Sequence, residues 1–271
     1  MPAGTAEVVL TTKLFTPKSR RDLVGQDRLF ALLRRGLDAP LTLVVAPPGW
    51  GKSTLVGGWL RRDAIPAGWV SLDSGDDDPK RFWRYVVLAT RQAVGAGTAT
   101  LQRLDAAGSD VQRDVVPTFV NELIECGAPV VLVLDDYHAV SAGGVHASLG
   151  GLLDHCPPQL HLVVWTRTAP ALPLSRLRVR GDLVELDAQD LRFTPSEGIE
   201  LFNDRLHLAL SANDVGRPLV VLLVAFIAIC DARPGRDERR RHSPQPPRVP
   251  CGSRRARQRV HGGDDRGGTG G

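Results

Sequence analysis

The sequence has few cysteines, and they are scattered. Cys126, Cys156, Cys230 and Cys251 form no C-x-x-C pair. That argues against a disulfide framework and against a zinc site, and reduced bystander thiols are expected. The first nine residues lack a basic stretch followed by an apolar run, so they do not read as a secretory signal. Long apolar runs are missing too. The longest, at residues 219–230, falls well short of the ~20 residues a bilayer-spanning helix needs. The expectation is a cytoplasmic protein with no membrane partner. No internal repeat is present. What remains is a 271-residue chain that is 42% hydrophobic, enough for one sizeable core with at most a small satellite.

The net charge of +4 is unevenly spread. From Gly216 onward, 12 Arg and no Lys stand against 5 acidic residues, a net +7. The first 215 residues carry 22 basic and 25 acidic groups, a net −3. The basic excess thus belongs to the tail, and the preceding part lacks the footprint of a nucleic-acid-binding domain. Residues 216–271 are rich in Pro, Arg and Gly and offer almost no apolar periodicity outside 219–230. Such a composition cannot bury enough surface to offset its chain entropy, so a disordered tail is expected. It is either a natural basic tail or the product of a reading frame lost near codon 215. The abrupt change after Ser211-Ala212-Asn213-Asp214, which reads as the N-cap of an undeveloped helix, favours the second.

Before that break the chain alternates strand-length apolar runs with helical patterns. This is the mark of parallel βαβ units. Strands are expected at 41–46, 69–72, 130–134, 160–166 and 183–186. Most are continuously apolar, as when both faces of a sheet are covered. Helices are expected at about 26–36, 52–62, 79–94, 111–126, 145–155 and 197–208. The last follows Thr194-Pro195-Ser196-Glu197, a capping box with Pro at the first helical position. The resulting plan is a leading segment at 1–24, a main α/β domain at 25–190, the start of a helical region at 191–215, and the tail at 216–271.

One loop carries the chemistry. Ala46-Pro47-Pro48-Gly49-Trp50-Gly51-Lys52-Ser53-Thr54 follows an apolar strand and opens a helix. It matches the phosphate-binding P-loop, with Ala in place of the first Gly. In such a loop the segment Pro48-Gly49-Trp50-Gly51-Lys52-Ser53-Thr54 curls around phosphates, the main-chain N–H groups after Pro48 donating to them with help from the helix N-terminus. Lys52 reaches the β- and γ-phosphates, and the Ser53 hydroxyl ligates Mg²⁺. About 80 residues on, Val130-Val131-Leu132-Val133-Leu134-Asp135-Asp136 reads as a Walker B strand. Asp135 would hold Mg²⁺ through water, and Asp136 would polarise an attacking water. Thr166-Arg167 ends another apolar strand, at the edge where open α/β sheets bind ligands. Arg167 would sense the γ-phosphate or stabilise transition-state charge, unless it is an ordinary surface arginine. Tyr137-His138 follows the carboxylates directly and is given no catalytic role. ATP with Mg²⁺ is the ligand these motifs imply.

These residues resemble the N-terminal ATPase domain of the MalT-like, LuxR-type transcriptional regulators, members of the STAND class of P-loop NTPases. The similarity runs over roughly residues 12–215. It begins with Thr12-Lys13-Leu14, Pro17 and Leu23-Val24-Gly25-Gln26-Asp27-Arg28-Leu29, and it includes the P-loop. Its most specific part is a block of Trp69-Val70-Ser71-Leu72-Asp73, Asp76-Asp77-Asp78-Pro79 and Arg81-Phe82-Trp83-Arg84-Tyr85. It continues through Leu134-Asp135-Asp136-Tyr137-His138, Thr166-Arg167, Leu172-Pro173-Leu174, Arg176-Leu177-Arg178 and Leu191-Arg192-Phe193-Thr194. The resemblance implies an AAA-like (ASCE) P-loop NTPase fold, with the P-loop and Walker B strands flanking the sensor strand. It implies a slow ATPase switch that self-associates when ATP is bound. The family's winged-helix region, sensor repeats and DNA-binding helix-turn-helix find no counterpart here, so no sequence-specific DNA binding is expected of this chain. Three readings stand: the switch domain of a truncated regulator, a stand-alone small P-loop ATPase with a basic tail, or a non-functional pseudogene fragment.

Overall fold

The computed structural model describes residues 9–17, 27–192, 194 and 197. A 3₁₀ turn at Thr11–Leu14 precedes helix α1 (Asp27–Gly36), strand β1 (Leu41–Val45), α2 (Lys52–Arg62) and β2 (Ala67–Ser71). Next come a short turn at Ser74–Asp77, α3 (Pro79–Val94), α4 (Thr98–Asp105), α5 (Val116–Cys126), β3 (Val130–Asp135) and a turn at Tyr137–Ala139. The order closes with α6 (Gly143–Asp154), β4 (Leu160–Thr166), α7 (Leu174–Arg180) and β5 (Leu183–Asp187).

The five strands form one parallel sheet in the order β2-β3-β4-β1-β5. The P-loop strand β1 and the acidic strand β3 therefore flank β4, as the resemblance implies. Alternate side chains of each strand point to opposite faces and join different cores. Leu41 and Leu43 pack with Leu132, Leu134, Leu162 and Val164 beneath α3, α5 and α6. Val44 packs with Val131, Val133, Val163 and Trp165 beneath α1 and α2. Both faces are covered, so β3 and β4 are buried at every position. Among the described residues β5 pairs only with β1, and it is half-exposed. Gly68 of β2 allows α3 to lie against the sheet, since a Cβ there would come within 2.8 Å of the Ala89 backbone.

The aromatic and acidic block after α2 is a packing unit. Trp83 stacks edge-on against Phe119, with centroids 5.6 Å apart, and its Nε1 donates to Ser148 Oγ at 2.9 Å. Asp76 is fully buried, and Lys13 from the leading segment reaches it at 2.6 Å. Lys13 also pairs with Asp73 at 2.8 Å and lies 5.1 Å over the Tyr85 ring. Burial opposes the Lys13 charge, but the hydrogen bonds to Asp73 and Asp76 outweigh it and hold the ammonium above the ordinary lysine value. Removing one partner of a buried pair strands the other charge. Lys13→Met is therefore expected to cost about 3 kcal/mol in chemical denaturation; a loss under roughly 1 kcal/mol would mean that Asp76 is satisfied without it.

Several elements differ from the sequence expectation. The helix expected over 111–126 begins as a π turn at Val111–Val115 and becomes α-helical only from Val116, with Pro117 in its first turn. α4 and α7 were not anticipated. α4 buries only Thr100 and Leu104, and α7 only Leu177, too few apolar positions to show a helical period. Strand β2 starts two residues earlier than expected, because Ala67 and Gly68 pair with Val131 and Leu132 despite low strand propensity.

The capping box is present. Thr194 N donates to Glu197 Oε2 at 2.7 Å, and Glu197 N donates to Thr194 Oγ1 at 3.3 Å. Arg28 on α1 donates to the carbonyls of Asp190 at 2.8 Å and Arg192 at 3.0 Å, and its Nε lies 3.6 Å from Glu197. The start of the next helix is thereby tied to the sheet domain. The rest of the 197–208 helix, residues 18–26 and the whole tail, including 219–230, lie outside the described residues. Cys126 and Cys156 are free thiols. Among the described residues no helix is long and apolar enough to cross a membrane.

Candidate functional site

The strand register brings the three motifs to one sheet edge. Val45 pairs with Thr166 of β4, and Leu134 of β3 pairs with Val164. The P-loop, Arg167 and the two carboxylates therefore leave the sheet side by side. They enclose a cavity of about 310 Å³ lined by Pro48, Gly49, Trp50, Gly51, Lys52, Ser53, Thr54, Asp135, Asp136 and Arg167.

The loop bends at two glycines in the left-handed region, Gly49 (φ 85°) and Gly51 (φ 69°). A Cβ on Gly51 would meet nothing within 4 Å, so backbone conformation rather than space demands glycine there. Gly51 is also the N-cap of α2, and no side chain caps that helix. The first-turn amides of α2 are thus left facing the cavity, where they favour an anion. Trp50 packs its ring partly against the α1–α2 core.

Lys52 is buried, and its Nζ donates to the carbonyls of Ala46 at 3.0 Å and Pro47 at 2.9 Å. The ammonium thus holds the loop in shape and keeps a further N–H for a ligand. Burial lowers the Lys52 pKa, Asp136 and Asp135 oppose that, and Arg167 adds to it. An incoming phosphate would restore the lost stabilisation of the charge.

Asp135 is almost fully buried. Its Oδ2 accepts from Ser53 Oγ at 2.9 Å and its Oδ1 from the Asp136 amide at 3.0 Å. Burial raises its pKa despite those bonds, and the neighbouring Asp136 charge adds to the rise. A hydroxyl and a carboxylate within hydrogen-bond reach are a hard-cation donor pair, and a cation there would relieve the buried negative charge. The two residues therefore fit Mg²⁺.

Asp136 adopts the left-handed conformation (φ 57°), uncommon outside glycine but tolerated by Asp. That turn swings its carboxylate out of the strand to a side-chain exposure of 51%. His138 Nδ1 lies 3.8 Å away. Burial first, then Arg167, pushes the His138 pKa down. Arg167 is exposed at the rim, and the turn that presents it is closed by Thr166, whose Oγ1 donates to Thr168 O at 2.6 Å.

All ten residues singled out for the site thus line one cavity. The acceptors of Lys52 are main-chain carbonyls, which leave no trace in residue type. The bond between Ser53 and Asp135, 82 positions apart, has no local sequence signal either.

A glycine-bent loop before an uncapped helix, facing an acidic strand end in a parallel 2-3-4-1-5 sheet, defines a P-loop NTPase domain. No family model matches the chain. Among curated proteins, the HTH-type transcriptional regulator MalT of Yersinia enterocolitica serotype O:8 is 34% identical over 212 residues, 78% of this chain and 23% of the relative. The MalT of Cronobacter sakazakii is 35% identical over 202 residues, 73% of this chain and 22% of the relative. The chain thus spans less than a quarter of the length of these curated relatives. Among solved structures, a STAND protein with a tetratricopeptide repeat sensor from Pyrococcus horikoshii superposes with a TM-score of 0.53 at 15% identity, covering 78% of this chain and 31% of that one. That likeness shows the fold. The matched region has a P-loop NTPase fold and is homologous to part of the MalT regulators.

Proposed function

We propose that the chain is the ATP-binding switch domain of a MalT-type transcriptional regulator and hydrolyses ATP slowly. The observation that carries this is the shared cavity, in which a P-loop lysine, a Ser–Asp cation pair and a half-exposed carboxylate meet. Lys52 and the first-turn amides of α2 would grip the terminal phosphates. Ser53 and Asp135 would hold Mg²⁺, which when bound supplies Lewis-acid neutralisation of phosphate charge. Asp136, turned toward the cavity, would take the proton of an attacking water. Arg167 at the rim would contact the γ-phosphate side and favour the transition-state charge.

In this reading, ATP binding promotes self-association through the ATPase domain, in the cytoplasm. No sequence-specific DNA binding is assigned to the matched region itself. Titration of the purified chain with a fluorescent ATP analogue and Mg²⁺ is expected to show saturable, phosphate-dependent uptake. No uptake by well-folded protein would end the proposal.

A further inference from the structure

We propose that Asp77 is a positioning residue for hydrolysis at this site: by gripping Ser141 and Ala142 it fixes the loop that carries Asp136. This rests on the ATPase reading above.

Three consecutive carboxylates, Asp76, Asp77 and Asp78, have three different tasks. Asp76 is buried with Lys13. Asp78 caps α3 by accepting from Arg81 N at 2.8 Å. Asp77 leaves its own neighbourhood and crosses to the far end of the loop that follows β3. There Oδ1 accepts from Ser141 N at 2.6 Å and Ala142 N at 3.0 Å, and Oδ2 accepts from Ser141 Oγ at 2.8 Å. These bonds hold its pKa below the ordinary carboxylate value, led by the one from the Ser141 amide. Ala142 is the N-cap of α6 and has no capping side chain; Asp77 binds the amides of Ser141 and Ala142 just ahead of the first turn and places a favourable charge beside the helix N-terminus.

The loop it holds is the one that places Asp136. A left-handed non-glycine residue persists only where its surroundings over-determine it. Here the single turn after Asp136 closes through Ala139 N to Asp136 O at 2.9 Å and Val140 N to Tyr137 O at 3.1 Å. Its near end is anchored by Tyr137, buried, with its hydroxyl 2.7 Å from His146 Nδ1 on α6. Beyond Val140 the loop turns outward, Ser141 is exposed, and Asp77 is its grip. Asp77 can serve as a fixed point because its own turn is rigid. Asp73 accepts from Gly75 N at 2.8 Å, Asp76 accepts from Asp73 N at 2.9 Å, and Leu72 N extends the β2–β3 pairing to Asp135 O at 2.9 Å. Both ends of the Asp136 loop are therefore referenced to the sheet edge that carries Asp135.

The test compares the full chain with Asp77→Ala and Asp77→Asn. In the nucleotide-free protein, amide hydrogen exchange across residues 136–142 is expected to rise about tenfold in Asp77→Ala, with β1 and the P-loop unchanged. With Mg²⁺ and ATP, kcat is expected to fall about tenfold or more, while analogue affinity and KM stay within about threefold, because a displaced reacting group costs rate rather than binding. Asp77→Asn keeps a carbonyl oxygen for the two amides and is expected to recover part of the loss. Unchanged exchange overturns the proposal, as does unchanged kcat in a variant whose loop has loosened. A parallel fall in kcat, affinity and melting temperature also overturns it, since that is general destabilisation. Failure of the ATPase reading appears earlier and separately, as absent analogue uptake by the unaltered chain, and takes the catalytic assignment with it.

Discussion

Lys52→Ala is expected to abolish saturable uptake of an ATP analogue, with an affinity loss of about 100-fold or more. The physical basis is a single buried ammonium at the mouth of α2. A charge-assisted hydrogen bond contributes about 1.5–3 kcal/mol, and a buried charge facing phosphate lies at the upper end. The ammonium also ties Ala46 and Pro47 together through their carbonyls, so its loss slackens the loop as well as removing charge. The fold itself should survive, because the packing of α2 comes from Leu55, Val56, Trp59 and Leu60. The measurement is a fluorescence titration with Mg²⁺, alongside a thermal melt. Retained affinity in folded Lys52→Ala protein would refute the phosphate role of the loop.

The second large effect is expected at Asp136. Asp136→Asn should bind Mg²⁺ and ATP within about twofold of the parent yet lose hydrolysis by about 100-fold or more, the usual weight of a positioned general base. Asparagine suits this test because it tolerates the left-handed conformation that Asp136 adopts. Its amide keeps the size of the carboxylate but cannot take a proton. The cation pair of Ser53 and Asp135 stays intact, which is why binding should persist. Single-turnover hydrolysis measured beside analogue affinity separates the two effects. Equal turnover would remove Asp136 from its role; loss of binding would show that it holds the ligand instead.

Much of the fold was legible because its signals are local. β3 and β4 are unbroken apolar runs, and such runs in an α/β alternation are the strands with helices on both faces. α3 was read at its observed bounds, since Asp78 caps it, Pro79 opens it and Gly95 ends it in the left-handed region. The capping box at Thr194 and Glu197 is likewise four residues of local chemistry. α4 and α7 escaped because each is short and buries few side chains. The π turn before α5 escaped because the periodicity runs through it without a break. Of the site, every lining residue was found from motif spacing, while the Asp77 grip and the Lys13 plug were not. Each joins groups more than 60 positions apart, and nothing in residue type announces such a pairing.

The sequence alone determined the strand and helix alternation, the phosphate loop with its lysine, and the acidic strand end. Each is encoded within a dozen neighbouring residues by polarity, glycine and capping. Tertiary structure alone decided that Ser53 bonds Asp135 and that Asp136 lines the cavity from a left-handed turn. Those outcomes depend on strand order and register, which arise from burying two cores at once and not from any one segment.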